Sequence, residues 1–268
     1  LGRGELGREY QTAMDLGIDA YFEEAPAFPA GSYGLLGFRR QLAFHPVRYV
    51  SALAAAAAEK GARIYCGTKA VRLEDGEVKT IHCEGGLTIE ARHVIMATQY
   101  PFYDGPNLFF ARLYPKRAYD LAVEPLRDWP DGLYINAGQP ARSIRAHFEN
   151  GRKILIVVGE SHPTGRGAEN EEEHFDNLRR FAEQVAGVKS VLARWSAQDY
   201  ETPDQIPYIG RVSDNSNIYV AAGYGKWGLS SGTLAGIILS DLVTTGGTPY
   251  EALYSRNRAD ITTSLGKT

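Results

Sequence analysis

Apolar and polar positions follow different periods in successive parts of the chain. In "FHPVRYVSALAAAAAEKGARIYCGTKAVRLEDGEVKTIHCEGGLTIEARHVIMAT", an alanine-rich run gives way to short β-rich runs. Pro46 suits a first helical turn, alanine has high helix propensity and Gly61 stops the run, so a helix is expected from Pro46 to Lys60. "ARIYCG" reads as a strand, and "KAVRLEDG", "VKTIHCEGG" and "LTIEA" as a small antiparallel meander with Asp-Gly and Gly-Gly turns. The nearly continuous apolar run "HVIMAT" is expected to be a strand buried in a parallel sheet rather than half exposed.

The middle of the chain alternates instead. "LFFARLYPKRAYDLAVE", "GLYINAG", "RSIRAHFEN" and "KILIVVGES" read as successive strands. In the third, Ile144, Ala146 and Phe148 alternate with Ser143, Arg145, His147 and Glu149, the pattern of an antiparallel sheet with one wet face. "NEEEHFDNLRRFAEQVAG" reads as a helix with acids in its first turn and Gly187 at its end, followed by a strand, "VKSVLARWSAQDY". In the last section "NIYVAAG" is a buried strand. A glycine-rich turn and a helix from Leu229 to Val243 follow, with Leu234, Ile237, Ile238, Asp241 and Leu242 on one face.

The opening "GRGELG" matches G-x-G-x-x-G, but only Leu1 precedes it, so no strand can deliver the chain into a phosphate-binding turn. It is expected to be an exposed, glycine-loosened stretch before a short helix from Tyr10 to Leu16.

Composition narrows the classes. With 44% apolar and 23% charged residues the chain is expected to fold, and 268 residues suffice for two lobes. A net charge of −3 without a basic run disfavours nucleic acid or an anionic membrane as a partner. No apolar stretch approaches the roughly 20 residues of a membrane span, and no signal peptide is evident. Cys66 and Cys83 form neither C-x-x-C nor a C-x-H pair, so unpaired thiols and a cytoplasmic setting are expected. The six histidines occur singly and no G-x-S-x-G elbow is present, so neither a metal site nor a serine hydrolase is expected.

The segment "AAGYGKWGLSSGTLAG" carries the strongest chemical signal. A strand ends at Gly223, Gly225 and Gly228 open the loop, and a helix starts on Ser230, Ser231 and Gly232. Free amides and the positive end of the helix dipole then face the strand's carboxyl end, with Lys226 adding a full charge, a setting for a group that becomes anionic. A plain strand-to-helix crossover with a solvent-facing lysine is the alternative.

"TPDQIPYIGR", an irregular stretch, then "NIYVAAGYGKWGLSSGTLAGIILSDLV" resembles the C-terminal part of FAD-dependent oxidoreductases of the D-amino acid oxidase and glycine oxidase superfamily. "FHPVRYVSALAAAAAEKGARIY", "KAVRLEDG" and "HVIMAT" resemble that family's second and third flavin-domain segments. The resemblance covers Phe44 to Thr98 and Trp195 to Val243. It implies an α/β fold, α+β overall, with a partial FAD-binding Rossmann-like domain at 44–100 and 200–268. An antiparallel-sheet substrate domain is implied at 1–43 and 101–199.

For the cofactor, the resemblance implies that Gly223, Gly225, Lys226, Trp227, Gly228, Leu229 and Ser230 lie at the pyrimidine edge of the isoalloxazine. Ala70 and Val71 match a stretch that meets the adenine, Ala97 and Thr98 a strand end near the cofactor, and Pro207, Ile209 and Gly210 the loop beside the flavin. It implies oxidation of a C–N bond by hydride transfer to flavin N5. The stretch before Phe44 is too short for the family's own G-x-G-x-x-G unit, so a truncated oxidoreductase is expected. Some relatives carry a Rieske domain after the flavin domain; its Cys and His pairs are not found here, and no cluster is expected.

Catalytic candidates are Lys226, Tyr208 and Asp199, with Tyr208 and Trp227 as pocket walls or core aromatics. Asp199 stands eight residues before Pro207, where relatives acting on amino acids place a carboxylate-binding arginine. An acid there favours an amine lacking a carboxylate, unless Arg39, Arg40, Arg112, Arg117 or Arg194 substitutes. The expected partner is a small-molecule amine-type substrate, with an electron acceptor or oligomer partner open. The rival expectation is a non-catalytic remnant or assembly partner that binds no cofactor.

Overall fold

The computed structural model describes residues 3–24, 26, 34–104, 108–165 and 170–258. The chain divides into two compact units, Leu1–His45 with Ala118–His162 and Gly167–Ala197, and Pro46–Arg117 with Pro163–Arg166 and Gln198–Thr268.

In the first unit, helix α1 (Arg3–Asp15) precedes a hairpin of β1 (Ala20–Glu23) and β2 (Leu35–Phe38). The expectation of a loose glycine stretch before a helix at Tyr10 is corrected, since α1 begins at Arg3 and Gly4 and Gly7 lie inside it. Gly2 lies outside the described residues. In the meander, β7 (Tyr114–Pro125), β8 (Leu133–Ile135), β9 (Ser143–Glu149), β10 (Arg152–Pro163) and β11 (Val188–Glu201) form one sheet in the order β11-β7-β10-β9-β8. Residues two apart share a face, so Tyr119, Leu121 and Val123 of β7 and Leu155 and Val157 of β10 build one core. The alternation expected in β9 holds at Ile144 and lapses at Phe148, which is exposed.

Helix α3 (Glu171–Ala186) covers that core with Leu178, Ala182 and Ala186. Its ends follow from the sequence. The Asn170 side chain accepts from Glu172 N at 3.1 Å, three acids occupy the first turn, and Gly187 takes φ 66° beyond the last turn.

In the second unit, α2 (Pro46–Glu59) leads to the antiparallel meander β3 (Ala70–Glu74), β4 (Lys79–Cys83) and β5 (Thr88–Ala91). A separate sheet has the order β12 (Tyr208–Arg211), β13 (Ile218–Ala222), β6 (Val94–Met96), with β13 and β6 parallel. Ile218, Val220 and Ala222 pack on one side with Leu73, Ile81 and Met96. Tyr219 and Ala221 pack on the other with Ala235, Ile238, Leu239 and Leu242 of α4 (Gly228–Thr244). Coverage on both faces explains the unbroken apolar run of β13. Short α5 (Glu251–Tyr254) follows.

The structure departs from other expectations as well. "ARIYCG" forms no strand; Ile64 and Tyr65 are exposed and no described strand offers them a ladder. β6 is parallel as expected but lies at the edge of its described sheet, so Met96 is buried while Ile95 is 47% exposed. Strand β7 begins only at Tyr114, because the Asp104 carboxylate accepts from Phe109 N and Phe110 N and winds 109–111 into a single 3₁₀ turn. On α4 the buried stripe is Ala235, Ile238, Leu239 and Leu242, and Ile237 points outward.

Candidate functional site

The parallel register Ile218↔Val94, Tyr219↔Ile95, Val220↔Met96 brings the carboxyl ends of β6 and β13 to one side. Ala97 and Thr98 therefore follow β6 beside the point where Gly223 leaves β13. Gly223 has φ 79°, and a Cβ there would stand 2.7 Å from Thr202 Cγ2 and 3.0 Å from Leu113 Cδ2. Only glycine fits such a crowded left-handed position.

The next residues are laced to the end of β11. Gly225 N donates to Tyr200 O at 3.0 Å, Lys226 N donates to Asp199 Oδ2, and Glu201 bridges Tyr224. Lys226 itself adopts φ 74°, a conformation that costs a non-glycine residue roughly 1–2 kcal/mol. The charge-assisted bond from its amide to Asp199 offsets that cost. Helix α4 then begins at Gly228 with no side-chain cap on its first amides. The amides of Gly228, Leu229 and Ser230 belong to the first turn, which has no intrahelical acceptor, and they carry the positive end of the helix dipole.

A groove of about 540 Å³ runs along α4 beside the edge strand β6, lined by Ile95, Ala97, Ala221 and Tyr224 and by α4 residues from Gly232 to Thr244; of the 223–230 turn only Tyr224 reaches it. Thr98 Oγ1 donates to Tyr100 O at 2.8 Å, which shapes the chain after β6. Trp227 and Lys226 are exposed. Ala70 packs on the core that includes Tyr208 and Ala222, and Val71 sits at the register shift between Ala70 and Arg72, with its side chain exposed. Ile209 is fully buried against α4, and Gly210 has φ 147°.

Tyr208 is 0% exposed, with the Arg258 guanidinium 4.6 Å over its ring, and burial pushes its phenol pKa up. The candidate arginines are engaged, Arg117 included. Arg40 lies 3.1 Å from Asp19, with Arg39 nearby; Arg194 lies 2.5 Å from Glu172; buried Arg112 donates to Arg256 O.

Several contributors to this geometry were not legible in the sequence. Gln99, at φ 63°, donates through Nε2 to Gln198 O, so four consecutive residues of β11 hold both strand-end loops. Thr202 Oγ1 donates to Ile206 O at 2.8 Å, and Arg258 binds Asp204 through two bonds of 2.8 and 2.9 Å. No spacing rule links Gln99 to Gln198 or Arg258 to Asp204, 99 and 54 residues apart. Cys66 and Cys83 are both free, and no group of three metal-ligating side chains occurs among the described residues. No described helix is long and apolar enough to cross a membrane.

A parallel strand pair ending in a glycine turn and an uncapped helix, in a chain that also carries an antiparallel-sheet unit, makes this an α/β protein, α+β overall. The DAO family model, described as FAD dependent oxidoreductase, matches residues 2–242, and the chain belongs to this family. The chain is 37% identical over 264 residues to protein YhfW of Bacillus subtilis (strain 168), assigned by its name to the Rieske 2Fe-2S iron-sulfur proteins. That match covers 98% of this chain and 52% of YhfW.

Glycine oxidase of Geobacillus kaustophilus (strain HTA426) is 26% identical over 213 residues, covering 75% of this chain and 53% of the oxidase. The chain thus spans about half the length of these named relatives. The crystal structure of glycine oxidase from Geobacillus kaustophilus superposes with TM-score 0.74 at 20% identity, over 96% of this chain and 72% of that one. L-amino acid deaminase from Proteus vulgaris gives 0.70 at 14%, over 94% and 74%. The fold is that of the glycine oxidase-like enzymes.

Proposed function

We propose that this chain holds the isoalloxazine end of FAD in an oxidoreductase acting on the C–N bond of an amine or amino-acid-like substrate. The observation that carries the reading is the uncapped amino end of α4, placed by the Gly223–Lys226 turn at the carboxyl ends of β6 and β13. FAD, when bound, supplies a hydride acceptor at N5. The residues suit that group, because Gly228, Leu229 and Ser230 are exposed and no side chain caps the helix start, whereas Gly223, packed against Thr202 and Leu113, serves the turn that presents them. The amides of Gly228, Leu229 and Ser230 and the cation of Lys226 stabilise negative charge at the pyrimidine edge. Ala97 and Thr98 border the same ring system. Pro207, Ile209 and Gly210 would stand beside it through their backbone, since the side chains of Ile209 and Tyr208 are buried in two separate cores. Ala70 and Val71, at the β3 bulge, meet the adenine end.

In this reading the second unit, together with its flanking loops, holds FAD and the first unit binds substrate. Glycine oxidase and L-amino acid deaminase among the relatives act, by their names, on amino acids. Here the arginine expected before "PYIG" is Asp199, which favours a substrate held by its amine or another group. The electron acceptor is oxygen or a partner redox protein.

The test is anaerobic titration of the purified polypeptide in which this chain occurs. A yellow protein bleached by an amine, and more weakly by glycine, supports the reading. A protein that takes up no FAD overturns it and favours a non-catalytic member of the family.

A further inference from the structure

We propose that Asp199 is the positioning residue of the glycine turn, and that its carboxylate works on the protein's own backbone rather than on substrate. This deepens the flavin reading above and rests on it for its functional consequence. Asp199 Oδ1 accepts from Tyr200 N at 2.7 Å, and Oδ2 accepts from Lys226 N. Both oxygens are therefore turned onto main-chain amides.

The second bond falls on a lysine with φ 74°, between Gly225 at φ 53° and the amino end of α4. Glycine adopts this conformation freely and lysine only at a cost, which a bond from outside the turn offsets. Asp199 reaches it from β11, a strand that also supplies Tyr200 O to Gly225 N and the Glu201 bridge to Tyr224. The same strand end takes Gln99 Nε2 on Gln198 O. One strand end thus sets the loops after both β6 and β13, and Asp199 brings a charged acceptor to the second of them. Fixing Lys226 fixes both the exit of its side chain and the direction of the Gly228, Leu229 and Ser230 amides. An arginine at position 199 would have no acceptor oxygen to offer Lys226 N.

The assignment separates geometry from charge. Asparagine keeps an acceptor at the same reach, whereas glutamate keeps the charge but moves it by one methylene. Hydrogen–deuterium exchange of the intact polypeptide, without added FAD, should show Lys226 and its neighbours exchanging about tenfold faster in Asp199→Ala and in Asp199→Glu. Asp199→Asn, which keeps the acceptor without the charge, should lie between wild type and those two variants. Amides of Ile218–Ala222 report whether each variant is folded, and Asp199→Glu carries the test if Asp199→Ala is not. Unchanged exchange at Lys226 in folded Asp199→Ala or Asp199→Glu overturns the proposal, as does rescue by glutamate with failure of asparagine.

FAD affinity, read from quenching of flavin fluorescence, should fall in the same order of variants. If the exchange pattern holds while even the wild type binds no FAD, the turn assignment stands and the flavin reading fails. If wild type and Asp199→Ala bind FAD alike with equal exchange, the turn assignment fails and the flavin reading stands.

Discussion

Gly223 concentrates the demands of the site in one residue. Its φ of 79° lies where a Cβ is disfavoured, and the nearest atoms, Thr202 Cγ2 and Leu113 Cδ2, stand at 2.7 and 3.0 Å from where that carbon would be. Thr202 is tied by its hydroxyl to Ile206 O, and Leu113 is buried at 2% exposure, so neither yields easily. Gly223→Ala combines backbone strain with overpacking and should cost about 2–4 kcal/mol. Urea denaturation followed by circular dichroism would show the lower midpoint with an unchanged slope. Gly236 lies inside α4, and a methyl group added there would meet nothing within 4 Å, so Gly236→Ala should be neutral or stabilising in the same assay. A glycine-rich turn was legible in the sequence, but which of its glycines is indispensable was not. That depends on Thr202 and Leu113, which no local pattern connects to it.

Among the elements, those closed by their own residues were readable. Asn170, the three acids and Gly187 mark both ends of α3, and the apolar run of β13 marks a strand covered on two faces. Elements whose fate depends on a neighbour were not. "ARIYCG" has strand-like composition but no described ladder, and β6 has a buried run's composition at a sheet edge.

The connection between the 256–258 turn and the loop before β12 is of the same kind. Arg258 binds Asp204 through both oxygens and donates to Pro207 O at 3.1 Å and to Ile206 O. The Arg258 bonds hold the Asp204 carboxyl below its usual range, against the opposing effect of burial. A depressed folded-state value means that the pair stabilises the fold above the unfolded carboxylate pKa, about 3.9, and loses this contribution as pH falls through the folded value. The melting-temperature gap between wild type and Asp204→Asn should therefore be full at neutral pH and narrow below about pH 4. A gap that stays constant from pH 7 down to strongly acidic solution would show that the ion pair adds nothing.

At the scale of the molecule, each unit carries its own core, and the candidate cofactor residues belong to one of them. Tyr119, Leu155 and Leu178 anchor the first unit, while Met96, Val220, Ile238 and Leu242 anchor the second. Ala70, Val71, Ala97, Thr98, the 223–230 turn, Pro207, and Ile209 and Gly210, which form part of strand β12 and not the expected loop, all lie within the second. A ligand stabilises only the openings that release it, by about 2.7 kcal/mol at a hundredfold excess over its Kd. Saturating FAD should therefore slow amide exchange by up to about a hundredfold at the 223–230 turn and the loops after β6 and before β12. The same addition should leave Leu178, Ala182 and Ala186 of α3 near their unliganded rates. Peptide-resolved exchange with and without FAD reads both regions in one experiment. Slowed exchange confined to α3, with the turn unchanged, would move the cofactor to the other unit and remove the basis for assigning Lys226 and the α4 amides to the flavin.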